Sequence, residues 1–362
     1  MPDFIPGLKL SELFYREAVS PILASNFPKV RYSAALLGSG SEVLGFDTPQ
    51  STDHHWGPRL QIFLSADDHA AYAAPMAEVL SQQLPYRFRG YSTNFGPPDE
   101  FGVRLLADID SSPINHRVDI KTIQSFFESY LGFNPCNEMQ VLDWLTIPEQ
   151  RLLTVTASRV FHDGLGELNR ICQKFAYYPR DVWLYLLAAQ WTWISEEEAF
   201  VGRTGDVGDE LGSQLIAARL VRALMKLCFL MERRYAPYSK WFGTAFARLP
   251  CAQRFAPVFQ NILQAPSWRE RERHLSAAYE LAAEMHNALG ITKSLETNVS
   301  PFHNRLYQVI HAERFANEIK QSIQDETIRA IPVDIGSVDQ FVDCTDVLSD
   351  PRLYRKLKIM FQ

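Results

Sequence analysis

The feature that most constrains the fold is a change of periodicity near residue 148. Before it, short apolar runs end at glycine or alternate with polar residues, at 32–37, 60–64 and 116–123, which predicts strands. After it, long helical stretches are predicted, with prolines between them or near their starts. They cover 148–161, 164–176, 181–200, 209–235, 268–289 and 303–325. The pattern predicts an α+β protein in which an N-terminal mixed sheet with flanking helices precedes an all-α helical bundle.

The length and composition fit a globular protein of more than one domain. The chain has 362 residues, of which 46% are hydrophobic and 22% charged. We expect a first domain over 1–147, a helical domain over 148–330 and a C-terminal extension over 331–362.

The net charge and the cysteine pattern indicate which partners and which cellular compartment to expect. The formal net charge of -6 argues against general binding to nucleic acid or to an anionic membrane surface. The five cysteines include no Cys-x-x-Cys pair, which is typical of reduced thiols in a cytosolic protein. No secretory signal or transmembrane stretch is evident, so a cytoplasmic protein with no nucleic-acid or membrane partner is expected.

A turn rich in glycine and serine follows the first predicted strand. It consists of Gly38, Ser39, Gly40 and Ser41. Such small residues let backbone N–H groups approach an anion closely, as phosphate-binding turns require. The turn is therefore a candidate phosphate site, with an ordinary tight turn as the alternative.

Two acids are candidates for holding a metal ion beside this turn. Asp53 stands just before the strand 60–64, and Asp119 lies on the polar face of the strand 116–123. Magnesium prefers oxygen ligands, and two-ion phosphoryl chemistry needs acids from more than one strand. A turn or helix cap is the alternative for Asp53.

Gly40-Ser41, followed by Asp53 and later by Asp119, resembles the motif of the nucleotidyltransferase superfamily, which includes kanamycin nucleotidyltransferase and polymerase-beta-like enzymes. Within it, the chain resembles the bacterial and fungal domain-of-unknown-function family 4037. The resembling segments are GSEVLGFDTPQSTDHHWGPR, HRVDIKTIQSFFESYLG, FVGRTGDVGDELGSQLIAARLVRALMKLCFLMERRYAPYSKWFGTAF and MHNALG.

The resemblance implies a nucleotidyltransferase-like sheet and transfer of a nucleoside monophosphate from an NTP to an acceptor hydroxyl, with release of pyrophosphate. It implies Mg²⁺ or Mn²⁺ as cofactor, ATP as the favoured nucleotide, and a small-molecule or protein acceptor. A homodimer is left open as the assembly.

His55 departs from the superfamily motif, which has an acid two residues after Asp53. An imidazole is a poorer magnesium ligand than a carboxylate. Either the metal differs, or His55 points away from it, or catalysis is weakened. The last option leaves a catalytically inactive nucleotide sensor or partner-binding module as the alternative function.

The triplet Asp53-His54-His55 also matches the signature of the DHH phosphoesterases, which bind manganese. In that family the triplet follows an apolar strand, whereas here it follows the turn-like TPQST. This function is therefore a minor alternative.

A basic stripe is predicted on one helix of the second half. Arg219, Arg222 and Lys226 are spaced by three and four residues and so share one helix face. The stripe is either a solvated face or a phosphate-binding wall, and Arg219 and Arg222 are candidates for contacting the nucleotide.

Three acids near that helix are candidates for a general base acting on the acceptor hydroxyl. They are Glu198, Asp206 and Asp209, with Gly202, Gly205 and Gly208 predicting a supple loop around them. Helix capping is the alternative explanation.

Two further cations complete the candidate nucleotide contacts. Arg59 follows the Asp53 cluster and could neutralise a triphosphate, with a salt bridge as the alternative. Lys240 stands beside Trp241 and could contact a phosphate, with aromatic packing at a bundle corner as the alternative.

Overall fold

The computed structural model describes residues 3–53, 56–100 and 102–362. Contacts divide the chain into two compact units. The first holds the chain up to Glu138 together with Arg151–Ala176, and the second holds Met139–Gln150 and Tyr177–Gln362. The boundary expected between residues 147 and 148 falls inside a segment of the second unit, and residues 331–362 belong to that unit too.

Helices dominate the structure. The α-helices are α1 (Gly7–Phe14), α2 (Ser20–Asn26), α3 (Ala66–Gln83), α4 (Ile123–Leu131), α5 (Val141–Thr146), α6 (Glu149–Thr156), α7 (Leu168–Lys174), α8 (Arg180–Glu197), α9 (Phe200–Asp206), α10 (Glu210–Met231), α11 (Ser239–Phe246), α12 (Ala252–Gln264), α13 (Trp268–Ala288), α14 (Glu313–Gln321), α15 (Glu326–Arg329), α16 (Val338–Phe341), α17 (Thr345–Ser349) and α18 (Pro351–Tyr354). A π-helical turn, Tyr15–Val19, joins α1 to α2, and 3₁₀ segments cover Pro49–Asp53 and Arg355–Phe361.

The strands are short. They are β1 (Ser33–Leu36), β2 (Arg59–Leu64), β3 (Arg87–Phe88), β4 (Tyr91–Ser92), β5 (Arg117–Thr122), β6 (Arg159–Asp163), β7 (Ser300–Pro301) and β8 (Gln308–Val309).

The first unit is built on a mixed four-stranded sheet of order β5-β2-β1-β6. Strand β1 runs antiparallel to β2 and β6, whereas β2 and β5 are parallel. Successive side chains point to opposite faces, so Ile62 and Val118 join the buried core with Leu10, Phe14 and Leu80. This sheet beside predominantly helical structure confirms the α+β class.

Strand β6 corrects the expectation that strand structure ends near residue 148. The helix predicted over 148–161 stops at Thr156, and Arg159–Asp163 then pairs with β1 at the edge of the sheet. The residues of β6, RVFHD, do not alternate between apolar and polar side chains, and none of them is buried, so the sequence carries no strand signal here.

The second unit is organised around α8. Eleven residues of this helix are buried, on all of its sides, and α8 packs against both α10 and α14. A helix that is apolar all round belongs in an interior. This unit also contains the short β7–β8 pair, so it is not purely helical.

The loop predicted around Gly202, Gly205 and Gly208 is largely the helix α9. Gly202 and Gly205 provide close packing rather than flexibility. A Cβ at Gly202 would lie 2.5 Å from the ring of Tyr307, and one at Gly205 would overlap the ring of Trp268. Two helices that the sequence did not predict, α11 and α12, precede α13.

None of the described helices combines the length and the apolar character that crossing a membrane requires.

Candidate functional site

The Gly38–Ser41 turn starts at the end of β1. The Gln61 side chain on β2 fixes its entry, because its amide oxygen accepts from Leu37 N at 2.9 Å and its nitrogen donates to Leu37 O at 3.3 Å. Gly38 and Gly40 adopt φ of 86° and 148°, values that favour glycine. The sequence predicted the position of this turn because the glycines that its backbone conformation favours are neighbours along the chain.

A buried ion pair holds the turn from inside. Arg59 Nε and Nη2 donate to the Glu42 carboxylate at 2.8 and 2.5 Å, and Arg59 Nη2 also donates to Ser39 O at 2.7 Å. Glu42 is 4% exposed and Arg59 9%. The guanidinium predicted to contact phosphates is therefore engaged within the protein, in a salt bridge that is buried rather than on the surface.

Asp119 lies on the same face of the sheet as Arg59 and Gln61. It is half-buried on β5, and in the parallel pairing it stands opposite Gln61. Arg117 stands opposite Arg59 in the same register. The carboxylate of Asp119 thus shares a sheet face with the residue that fixes the turn.

The other two predicted metal ligands are Asp53 and His55, and their side chains lie outside the described residues. The backbone of Asp53 ends the 3₁₀ segment Pro49–Asp53, but its side chain and the whole of His54 and His55 lie outside the described residues. Within the described ranges, no three His, Cys, Asp or Glu side chains gather closely enough to hold a metal. Asp119 is the one predicted ligand whose surroundings are described.

Asp47 supports this region and was not singled out from the sequence. Its Oδ2 accepts from Gly7 N at 2.6 Å and from Trp56 Nε1 at 3.0 Å. Trp56 is only 1% exposed, as expected for a core residue. No local pattern distinguishes Asp47 from other loop acids, since one of its partners lies 40 residues away.

The three candidate general bases have structural partners in the second unit. The Glu198 carboxylate accepts from the backbone N–H of Ile310, His311 and Ala312 at 2.9–3.2 Å. Asp206 Oδ2 accepts from Tyr307 OH at 3.0 Å.

Asp209 is the N-cap of α10, with its Oδ1 accepting from Gly212 N at 2.8 Å. The capping alternative thus describes Asp209. Glu198 and Asp206 accept from residues on either side of β8, whereas Asp209 accepts from the first turn of α10.

The basic stripe of α10 lines a cavity in the second unit. Arg219, Arg222 and Lys226 all contribute to the wall of a cavity of about 420 Å³. The stripe is therefore not simply a solvated face. Lys240, in contrast, is exposed on α11, with its ammonium 5.1 Å from the ring of Trp241.

A group of ionisable side chains adjoins this cavity and was missed from the sequence; Glu149 is buried, and Asp339 and Lys226 are half-buried. Glu149 N donates to Asp339 Oδ2 at 2.8 Å, and Lys226 Nζ donates to the Asp339 carbonyl. Burial raises the pKa of both carboxyl groups and lowers the pKa of Lys226. These residues are far apart in sequence, so no spacing signal could have linked them.

Comparison with known proteins gives one family match. Residues 144–242 match the model of a family described as a domain of unknown function, DUF4037. This confirms the predicted resemblance to that family over the matched segment. Among curated proteins, none matches the chain.

One solved structure matches this chain. It is a nucleotidyltransferase-like protein from Exiguobacterium sibiricum 255-15, with 9% sequence identity and a TM-score of 0.35. The match covers 88% of this chain and 91% of that chain.

Proposed function

We propose that this protein is a metal-dependent nucleotidyltransferase that transfers a nucleoside monophosphate from an NTP, with ATP favoured, to an acceptor hydroxyl. In this reaction the acceptor oxygen bonds to the α-phosphorus, the bond from that phosphorus to the β-phosphate oxygen breaks, and pyrophosphate leaves. The hydroxyl proton passes to a base. The acceptor is a small molecule or a protein side chain.

The observation that carries the proposal is that one residue of β2, Gln61, connects the start of the Gly38–Ser41 turn with the strand position of Asp119. Gln61 fixes the start of the turn and stands opposite Asp119 across the β2–β5 pair. A turn of small residues and a carboxylate connected in this way suit a metal–triphosphate complex, because backbone amides can bind phosphate and a carboxylate can bind the cation.

The turn is preorganised, which supports the same reaction. The buried Arg59–Glu42 pair and the Arg59–Ser39 hydrogen bond fix its backbone from the protein side. Fixed donors contribute most to phosphoryl transfer, where positioning and charge neutralisation dominate catalysis. Arg59 acts in this proposal by positioning the turn and not by direct contact with phosphate.

The metal site is proposed from Asp119 and Asp53, with His55 as an auxiliary ligand. Carboxylate oxygens suit Mg²⁺, whereas an imidazole is better suited to Mn²⁺ and later transition metals. Bound metal would neutralise the phosphate charge that develops during transfer.

Isothermal titration with ATP, GTP and CTP, each with Mg²⁺ or Mn²⁺, tests the proposal. We expect saturable metal-dependent binding that weakens by at least roughly tenfold in Asp119→Asn and Asp53→Ala, because each removes one charged ligand. Asp110→Asn, an exposed acid of the same unit, is the matched control and should bind normally. Absence of binding by the wild type, or binding unaltered in both site variants, would refute the assignment.

The inactive-sensor alternative rests on His55, and pyrophosphate release separates it from the enzyme. A transferase releases pyrophosphate with some member of a wide hydroxyl panel, whereas a sensor binds nucleotide without turnover. In His55→Asp, a gain of turnover would indicate that the histidine replaced a working acid. A loss would identify the histidine as a working ligand.

A further inference from the structure

The cavity of the second unit has the size and the polarity of a small-molecule site. Its volume of about 420 Å³ lies within the range of roughly 300–1,000 Å³ that is typical of ligand pockets. Its wall comes from α8, α10 and the segment 334–343. Its lining residues include Gln190, Trp193, Arg219, Arg222, Lys226 and Phe341.

Arg222 presents a two-point receptor for an oxyanion. Its Nη1 and Nη2 donate to the two carboxylate oxygens of Asp343 at 2.7 and 2.5 Å. This is the bidentate geometry with which arginine binds carboxylates and phosphates of ligands. The Asp343 side chain is 71% exposed, so solvent already reaches this anion and a ligand could replace it.

The inner end of the cavity offers further hydrogen-bond donors. Gln190 is 3% exposed, and its Oε1 accepts from Gln340 Nε2 at 3.0 Å. The side-chain nitrogen of Gln190 is a donor of up to two hydrogen bonds. Lys226 adds an ammonium that gives one hydrogen bond to the Asp339 carbonyl and retains donors for a second partner.

The charged neighbours of Lys226 are one cation, Arg222, and three carboxyl groups, Asp339, Glu149 and Asp343. Burial lowers the pKa of Lys226, and the nearby Arg222 charge lowers it further, while Asp339, Glu149 and Asp343 act in the opposite direction. Burial raises the pKa of Glu149, which favours its neutral form. An anionic ligand would relieve the repulsion between the two cations.

The acidic residues of the wall are engaged or lie at its solvent side. Asp334 pairs with Lys320 at 2.8 Å, Asp343 pairs with Arg222, and Glu196 is exposed. They do not form a receptor for a cation.

Two aromatic side chains, Trp193 and Phe341, also line the cavity. The guanidinium of Arg219 lies 5.3 Å from the centre of the Trp193 ring and pairs with Glu197 at 2.6 Å. Planar aromatic walls suit a flat ring.

We propose that this cavity is a binding site for a small organic anion that carries a planar ring. Arg222 and Lys226 receive the oxyanion, Gln190 donates to a further acceptor, and Trp193 and Phe341 contact the ring. In the ligand-free protein, Asp343 occupies the oxyanion position and must leave Arg222 when the ligand binds. All of these residues belong to the second unit, so the inference does not depend on the proposed nucleotide chemistry.

Calorimetric titration of the full chain with phenyl phosphate, in the presence of EDTA, tests this site. The probe carries a ring and an oxyanion but no nucleoside, and the chelator removes any contribution from a metal–nucleotide site. We expect saturable binding that is tighter than that of inorganic phosphate or phenol. Arg222→Gln and Lys226→Met should each weaken it roughly tenfold or more, since a charged hydrogen bond is lost.

Asp343→Asn gives the discriminating result, because it removes the competing anion and should tighten binding. Lys293→Met alters an exposed, paired lysine of the same unit and serves as the matched control with unchanged affinity. Weaker binding in Asp343→Asn, tighter binding of benzylamine than of phenyl phosphate, or no saturable binding of phenyl phosphate would overturn the proposal.

Discussion

At the scale of single residues, Glu198 connects burial with the pH dependence of stability. It is 5% exposed, and burial raises its pKa to about 7 although three backbone N–H groups donate to it. The unfolded chain releases this proton near the ordinary value of 4.5. Between these values the folded state holds more protons, so the Glu198 contribution to the unfolding free energy falls as pH rises.

Glu198→Gln should remove this pH dependence. The amide cannot ionise, and its NH₂ group replaces an acceptor that faces backbone N–H donors. We expect a loss of about 1–3 kcal/mol in unfolding free energy and a flatter profile between pH 4.5 and about 7. Urea unfolding across that range measures both.

Glu284→Gln is the control for this experiment, because its carboxylate is 52% exposed in a surface pair with Arg254 and such pairs contribute little. A Glu198→Gln profile as steep as that of the wild type would contradict the assigned pKa.

The sequence suggested Glu198 as a general base because it is an acid near glycines. Its actual partners begin at Ile310, 112 residues further along the chain. A side chain's partner at that separation depends on how helices pack, which residue type does not reveal.

At the scale of elements, the sequence indicates where a helix begins or ends when the capping residue itself defines that end. Ser65 caps α3 by accepting from Asp68 N, and Gly132 ends α4 at φ 61°. Strand β6 was missed because it forms by pairing with β1. Its own residues carry no apolar alternation.

Alanine substitutions at Gly40 and Gly243 test whether each position needs glycine, because the two positions differ in backbone conformation and in free space. Gly40 has φ 148°, and a Cβ there would lie 2.6 Å from Arg59 Nη2 and overlap the Glu42 carboxylate. Gly243, within the helix α11, has open space around the same position.

Gly40→Ala should therefore destabilise the protein by about 1–3 kcal/mol, whereas Gly243→Ala should stabilise it by about 0.5–1 kcal/mol. Chemical unfolding of the two variants measures both signs. A neutral Gly40→Ala would show that the turn is not held as tightly as the Arg59–Glu42 contacts indicate.

At the scale of the whole molecule, the C-terminal segment is part of the second unit and not a separate extension. Asp143 on α5 is 4% exposed and accepts from Arg355 at 3.1 Å and Lys358 at 2.6 Å. Tyr354, between α17 and the final 3₁₀ segment, is fully buried. Residues near the end of the chain thus contribute to the stability of this unit.

Asp143→Asn should weaken this attachment. Burial acts to raise the pKa of Asp143, but hydrogen bonds from Lys358 and the Gln140 backbone lower it overall. The stabilisation is therefore present above the unfolded value of 3.8 and is lost as pH falls through the lower folded pKa. We expect a loss of about 1–3 kcal/mol at neutral pH.

Urea unfolding of wild type and Asp143→Asn at neutral and acidic pH provides the measurement. The difference between them should shrink as the pH falls below 3.8. Asp346→Asn, an exposed acid of the same segment, should have little effect, and an equally large loss there would argue against a specific role for Asp143.

The sequence by itself determined the α+β class and the position of the Gly38–Ser41 turn, and it offered helix capping as the alternative role for Asp209. Periodicity, glycine conformation and capping act over a few residues, so they can be recognised along the chain. Only the tertiary structure decided that Arg59 pairs with Glu42, that Glu198 binds a distant backbone, and that the α10 stripe lines a cavity. Each of these depends on packing, which brings together side chains whose separation in sequence carries no periodic signal.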